Sequence, residues 1–155
     1  MKFSAREDIE APIEFVFAQV TDFQALERSA LRRGAEVQRV DGNSEPGVGM
    51  AWDVSFKLRG KMRELKTELT RLDAPNSVVL SSRSKAMGGH MVVDLVALSR
   101  GRTRMSMDLE LKPINLSSRL LVQSLKLARG NLTGRYKLRI ADFARDIEDR
   151  YTRKG

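Results

Sequence analysis

The sequence has 155 residues, of which 31% are charged and 6% aromatic, and its formal net charge is +8 at pH 7. It has no cysteine, which excludes disulfides and thiolate chemistry, and its single histidine cannot supply the usual zinc site. The length suits one domain, and we expect residues 1–155 to form it, with 152–155 as a flexible tail. The charged N-terminal segment and the lack of a long apolar run favour a cytoplasmic protein.

The chain begins with a predicted strand and two short helices. Residues 2–10 alternate as a strand does. Pro12 suits the start of a helix over 13–20, because its missing N–H is not needed in the first turn. Asp22 is the predicted N-cap of a second helix, which we expect to end at Gly34.

From residue 35 onward apolar residues recur at every second position, which indicates six further strands. The clearest alternation runs from Val48 to Leu58, with polar residues between the apolar ones. Short turns rich in Gly, Pro and Asn separate the strands, so consecutive strands are antiparallel. The predicted strands cover residues 36–40, 48–58, 63–69, 78–83, 90–98 and 103–111.

The segment 115–151 has the clearest period in the sequence. Its apolar residues recur at steps of three and four, which predicts one helix of roughly 50 Å at 1.5 Å per residue. Gly130 and Gly134 within it indicate a bend, a close backbone contact or a break. The predicted fold is α+β with the order β-α-α-β6-α, a twisted seven-stranded antiparallel sheet wrapped around a long C-terminal helix. The apolar stripe of that helix comprises Leu121, Leu125, Ala128, Leu132, Tyr136, Ile140, Phe143, Ile147 and Tyr151.

The start of the chain carries a pattern that is typical of one superfamily. Residues 9–17 read IEAPIEFVF, a strand that ends in apolar-x-Ala-Pro and a helix with Val-Phe, and residues 21–23 read TDF before the second helix. Together with the order of elements, this pattern resembles the START-like, or SRPBCC, helix-grip superfamily and its polyketide cyclase/dehydratase-like group. The resemblance implies a deep pocket between sheet and C-terminal helix. Relatives bind or transform lipids, sterols, polyketides and aromatic molecules there.

We therefore expect a small hydrophobic ligand in a cavity of about 300–1,000 Å³, without a cofactor or metal ion. The alternative is a cyclase or dehydratase acting on a polyketide-like or aromatic substrate in the same cavity, with Tyr136, Thr67 and Arg63 as its polar groups. His90 is interpreted as structural or exposed, although a pair with Asp94 is conceivable. The candidate ligand-binding residues lie on the predicted inner faces: Trp52, Val54, Phe56, Leu65, Thr67, Met105, Met107, Leu132, Tyr136 and Phe143.

Positive charge is concentrated in the second half of the chain. Residues 76–155 hold 16 Lys/Arg and 7 Asp/Glu, against 12 and 13 in residues 1–75. We expect no nucleic-acid binding, because the aromatic residues lie in apolar patterns and not among the basic ones.

The start of the long helix is apolar on a second side, where its leucines lie beside basic residues. This side predicts either a homodimer interface or a weak contact with an anionic membrane. The leucines are Leu116, Leu120 and Leu127, and the basic residues are Arg119, Lys126 and Lys137.

Overall fold

The computed structural model describes residues 1–43 and 45–154, and in this part of the chain four helices cover one face of a seven-stranded sheet. The strand order across the sheet is β1-β7-β6-β5-β4-β3-β2, and every neighbouring pair is antiparallel. The helices are α1 (Ile13–Val20), α2 (Phe23–Arg32), α3 (Leu116–Leu127) and α4 (Arg129–Lys154). The strands are β1 (Lys2–Ile9), β2 (Glu36–Arg39), β3 (Ala51–Leu58), β4 (Lys61–Asp73), β5 (Ser77–Arg83), β6 (Met87–Ser99) and β7 (Arg102–Pro113). The predicted fold class is confirmed.

The alternation in the sequence sorts each strand into a core face and a solvent face. The prediction was wrong at Val48, which is 61% exposed in the turn before β3. Gly49 has φ +100°, a left-handed conformation that other residues rarely adopt, so the strand begins only after it. The β3–β4 hairpin turns at Arg59 and Gly60, both also at positive φ.

The core lies between the inner face of the sheet, α1 and α4. Rows of apolar side chains cross the sheet in register; one such row pairs Leu69 with Leu80, Leu80 with Met91 and Met91 with Leu109. Met105 of β7 and Ile147 of α4 are fully buried, as is Val16 of α1. Side chains of α1, α4 and the sheet thus meet in one apolar core.

The predicted single long helix is two helices. Asn115 and Ser118 cap the first turn of α3 reciprocally: the Ser118 amide donates to Asn115 Oδ1 at 2.9 Å and the Asn115 amide to Ser118 Oγ at 3.0 Å. The helical path stops at Ala128, which has φ −104° and ψ 19°. Gly130 and Gly134 weaken helix propensity just beyond it, and a Cβ on either would meet nothing within 4 Å. The two glycines therefore accompany a break in the helix and not a close backbone contact.

The helix α4 spans 26 residues, about 39 Å at the usual rise. Its buried side chains are Ile140, Ala144 and Ile147. It continues through Lys154, so residues 152–154, which the sequence assigned to a flexible tail, extend the helix; Gly155 lies outside the described residues.

Candidate ligand-binding site

The short helix α2 covers one end of the inner face of the sheet. Asp22 caps it, since its Oδ1 accepts a 3.2 Å hydrogen bond from the Ala25 amide. The chain leaves the helix through Gly34 at φ +92°. The spacing of Phe23, Leu26 and Ala30 directs one side of the helix at the sheet.

An apolar cavity of about 220 Å³ lies between α2 and strands β2 to β5, and we call it the α2 cavity. Its surface is almost entirely carbon. An engineered apolar cavity of about 150 Å³ holds benzene, so the α2 cavity suits a molecule of one or two small rings. The lining residues are Phe23, Leu26, Glu27, Ala30, Val37, Trp52, Val54, Thr67 and Leu80.

One wall of the α2 cavity is the indole of Trp52, whose orientation is held by a glutamate of α2. Trp52 Nε1 donates a 2.7 Å hydrogen bond to Glu27 Oε1, and the Trp52 side chain is only 5% exposed. The Phe23 ring packs against the indole at 5.5 Å between centroids. Because the acceptor is a carboxylate, this bond is of the stronger, charge-assisted kind and ties α2 to β3.

The floor of the cavity carries a pair of hydroxyl groups. Thr67 of β4 faces Ser82 of β5 in register, and Thr67 Oγ1 lies 2.8 Å from Ser82 Oγ. One of the two hydroxyls donates to the other, so the pair shares one hydrogen bond. Together with the bond from the indole N–H to Glu27, this leaves a lining that is almost entirely apolar.

The ten candidate residues from the sequence do not form one site. Trp52, Val54 and Thr67 line the α2 cavity. The rest lie elsewhere: Met105 is buried in the core, Met107, Tyr136 and Phe143 pack against it, and Phe56, Leu65 and Leu132 are half-buried outside the cavity. Three of the ten candidates therefore lie together, at a cavity that is under α2 and not under α4.

Tyr136 is occupied by a bond within the protein. Its hydroxyl donates to the Met107 carbonyl oxygen at 2.7 Å, and its ring lies 5.7 Å from that of Phe3. Burial, with the negative charge of Asp108 nearby, raises the pKa of Tyr136 to about 12, so the phenol stays neutral. Such a group stabilises the contact of α4 with the sheet.

The three polar residues of the enzyme hypothesis lie apart. Thr67 is at the α2 cavity, Tyr136 is under α4, and Arg63 is near the β3–β4 hairpin, where its Nε donates to the Leu58 carbonyl oxygen at 3.4 Å. The structure therefore does not bring them together as one catalytic group.

The comparisons with known proteins agree with this fold. The family model described as polyketide cyclase / dehydrase and lipid transport matches residues 1–148. The chain belongs to this family. The resemblance of its N-terminal pattern to the START-like, SRPBCC superfamily is thereby confirmed. Among curated proteins, none matches the sequence.

Solved structures with the same fold include the following three, which are described as different kinds of protein. A Thermus thermophilus protein has a TM-score of 0.68 at 15% identity, with 95% of this chain and 97% of the other covered. The Zhui aromatase/cyclase of a Streptomyces species has a TM-score of 0.68 at 10% identity, covering 97% and 94%. A point mutant of Thalictrum flavum norcoclaurine synthase has 0.66 at 12%, covering 97% and 95%. At these identities the likeness shows the fold alone.

In this cyclase/dehydrase-family chain, the lone histidine lies on the outer face of the sheet. His90 Nε2 is 3.8 Å from Glu110 Oε2, and both side chains are about one-third exposed. The carboxylate beside His90 is thus Glu110, which faces it across β6 and β7, and not Asp94. Among the described residues, no three His, Cys, Asp or Glu side chains gather as a metal site requires.

Two larger hollows in the family member have linings that mix polar and apolar surface. One of about 520 Å³ lies where Lys137 of α4 meets β1 and β7, and it includes Arg6, Glu7 and Asp108. The other, of about 680 Å³, runs over β2 to β5 and includes both Lys66 and Glu64. Charges of both signs line each hollow, which suits water more than a hydrophobic ligand.

Glu27 and the α2 side of the cavity were not predicted from the sequence. Glu27 follows Phe23 by four positions, so it lies on the apolar stripe of α2, and a charged residue on such a stripe is the available signal. Its partner Trp52 is 25 positions away, on a different element, and no local period connects them. None of the helices in residues 1–43 and 45–154 is long and apolar enough to cross a membrane.

Proposed function

We propose that this family member binds a small hydrophobic molecule in the α2 cavity. The observation that supports the proposal is a carbon-lined space of about 220 Å³ beside which the indole N–H and the Thr67 hydroxyl take part in hydrogen bonds within the protein. An apolar hollow that is open to solvent keeps carbon surface in contact with water, and a hydrophobic ligand gains free energy by covering that surface. Burying about 200 Å² of ligand surface contributes about 5 kcal/mol, before the cost of ordering the ligand.

The only tryptophan of the chain makes the proposal directly testable. Trp52 forms a cavity wall, so its fluorescence reports on this site alone. Titration with naphthalene is expected to change the emission of Trp52 until it saturates. Native mass spectrometry of gently purified protein then identifies the molecule that the protein carries.

A pair of matched variants separates cavity binding from surface binding. Ala30→Phe places a ring inside the cavity and is expected to abolish the saturable change, whereas Ala18→Phe on the exposed side of α1 is expected to leave it unaltered. Two results would contradict the proposal, provided that the purified protein carries no molecule. The first is that the wild type does not bind naphthalene, and the second is that both variants bind it equally.

A cyclase or dehydratase function is the second candidate, favoured by the description of the family that matches residues 1–148. In that case the cavity folds the substrate into a reactive conformation, and Thr67 is the hydroxyl nearest to it. If Thr67→Val lowered the kcat of a detected reaction without weakening ligand binding, catalysis would be added to the binding function. Equal turnover by wild type and variant would remove Thr67 from the chemistry.

We also propose that α3 contacts a partner. Three leucines of this helix are exposed in the structure, and burial of apolar side chains of this size stabilises a complex. A second copy of the chain and a lipid surface are the two partners that such a helix suits.

A further inference from the structure

The helix α3 has apolar side chains on two opposite sides. Ser118, Val122 and Leu125 are buried against the rest of the protein. The other side, which we call the leucine seam, is formed by Leu116, Leu120 and Leu127, which are 73%, 62% and 92% exposed. Steps of four and seven residues place all three on one line along the helix. Nothing in the described part of the chain covers them.

The surroundings of the leucine seam are basic. From residue 112 to 141 the sequence holds seven Lys or Arg and no Asp or Glu. Arg119 and Lys126 are seven positions apart, which places both on the same flank of the seam. Lys137, which the sequence analysis grouped with them, belongs to α4 and lies at the hollow beside β1, because the helix breaks at Ala128.

The charge distinguishes between the two partners. Two copies joined through the seam would bring Arg119 and Lys126 of each near those of the other, with no acidic residue on α3 to compensate. An anionic lipid surface offers the complement, since its headgroups neutralise the basic side chains and its acyl boundary takes up the leucines. We propose that α3 docks on an anionic lipid surface with the leucine seam inserted and Arg119 and Lys126 against the headgroups. This inference rests on the contact surface proposed above.

The strand that leads into the docking helix shares one row of residues with the α2 cavity, although β7 and β3 lie towards opposite edges of the sheet. Trp52, Thr67, Ser82, Gly89 and Leu111 form one row across β3 to β7. Two members of the row, Trp52 and Thr67, line the cavity. At the other end of the row, β7 ends two residues after Leu111, shortly before α3 begins.

Vesicle co-sedimentation tests the inference with the full chain. Vesicles of phosphatidylcholine alone are compared with vesicles that also contain phosphatidylserine, at low and high salt. The wild type is expected to bind the anionic vesicles at low salt and to dissociate at high salt. Leu116→Ser/Leu120→Ser/Leu127→Ser is expected to lose binding, whereas Leu138→Ser, on α4 and 63% exposed, retains it.

A second pair of variants tests the role of charge. Arg119→Glu/Lys126→Glu is expected to bind anionic vesicles at least about tenfold more weakly, because each basic residue near the surface contributes to affinity. Lys57→Glu/Lys61→Glu, at the β3–β4 hairpin, changes the net charge equally and is expected to bind as the wild type does.

Two results would overturn the inference. The first is equal binding of the wild type to neutral and anionic vesicles, or no binding to either, with all variants folded as judged by Trp52 fluorescence. The second is a concentration-dependent dimer in sedimentation equilibrium that the leucine variant abolishes, which assigns the seam to a second copy. A protein that stays monomeric and binds no vesicle would rule out α3 as a contact surface. A dimer would rule out only the lipid surface as its partner.

Discussion

At the scale of single residues, the cavity depends on side chains that hold other side chains. Glu27 lines the cavity, but its main contribution is to fix the orientation of the Trp52 indole. The Thr67 hydroxyl is similarly engaged by the hydroxyl of Ser82. Such pairs make the lining apolar although the residues are polar.

Removal of the Glu27 carboxylate is expected to loosen α2. Glu27→Ala leaves the indole N–H of the buried Trp52 without its acceptor, which costs about 1–3 kcal/mol of unfolding free energy. Glu27→Gln keeps a neutral acceptor and should cost less. Urea unfolding monitored by Trp52 fluorescence measures both. The exposed Glu14→Ala is the control, and a loss as large there as in Glu27→Ala would show that the bond is not the cause.

The carboxylate of Asp41 anchors the loop between β2 and β3. It accepts hydrogen bonds from Arg39 Nε at 2.7 Å and Arg39 Nη2 at 3.0 Å, and also from the amides of Ala51 and Asn43. The Arg39 guanidinium first, and then the two amides, hold the pKa of Asp41 well below its usual range.

A pH dependence of stability follows from this depressed pKa. The unfolded chain binds a proton at Asp41 near pH 4, the folded chain only at lower pH. The stabilising contribution is therefore complete above about pH 4 and is lost as pH falls through the folded pKa. Asp41→Asn is expected to be less stable than the wild type at pH 7, with the difference shrinking in acid. Urea unfolding at several pH values tests this, and a difference independent of pH would contradict it; Asp53→Asn, at the exposed Asp53–Lys66 pair, is the control.

At the scale of elements, how well the sequence predicts the structure depends on the range of the interaction. The strands were predictable because alternation is local, and the α2 start because Asp22 caps its own first turn. The helix break at Ala128 was not predictable, because the apolar stripe continues through it with an unbroken helical period. The position of the cavity was missed because it depends on whether α2 or α4 lies over Trp52 and Thr67, and this is decided by packing between distant elements.

Gly89 of β6 lies close to the backbone of the neighbouring strand β7. A Cβ on Gly89 would lie 2.7 Å from the Glu110 carbonyl oxygen of β7, a backbone atom, whereas one on the adjacent Gly88 would meet its nearest atom at 3.9 Å. Gly89→Ala is therefore expected to destabilise by about 1–3 kcal/mol through a shift of β6 from β7. Gly88→Ala is the matched control and should be close to neutral. Thermal unfolding compares the two, and equal stabilities would show that the strands yield without cost.

At the scale of the whole molecule, the two ends of the sheet differ in what covers them. Residues of α1 and α4 fill one part of the inner face with a packed core, including Val16 and Ile147. Near the β3 edge, the α2 cavity remains between α2 and strands β2 to β5. A packed core and a hollow therefore lie side by side on one continuous sheet.

The position of β1 at the edge of the sheet also determines when the protein can fold during synthesis. Strands β2 to β7 each pair with the next along the chain and can form hairpins as they leave the ribosome. The partner of β1 is β7, with Lys2 opposite Glu110, so β1 waits unpaired while the intervening strands are made. Helix α4, which packs across β1, is made later still. Completion of the core is thus delayed until about the whole chain has been translated, and the nascent protein carries an open sheet edge that chaperones have reason to cover.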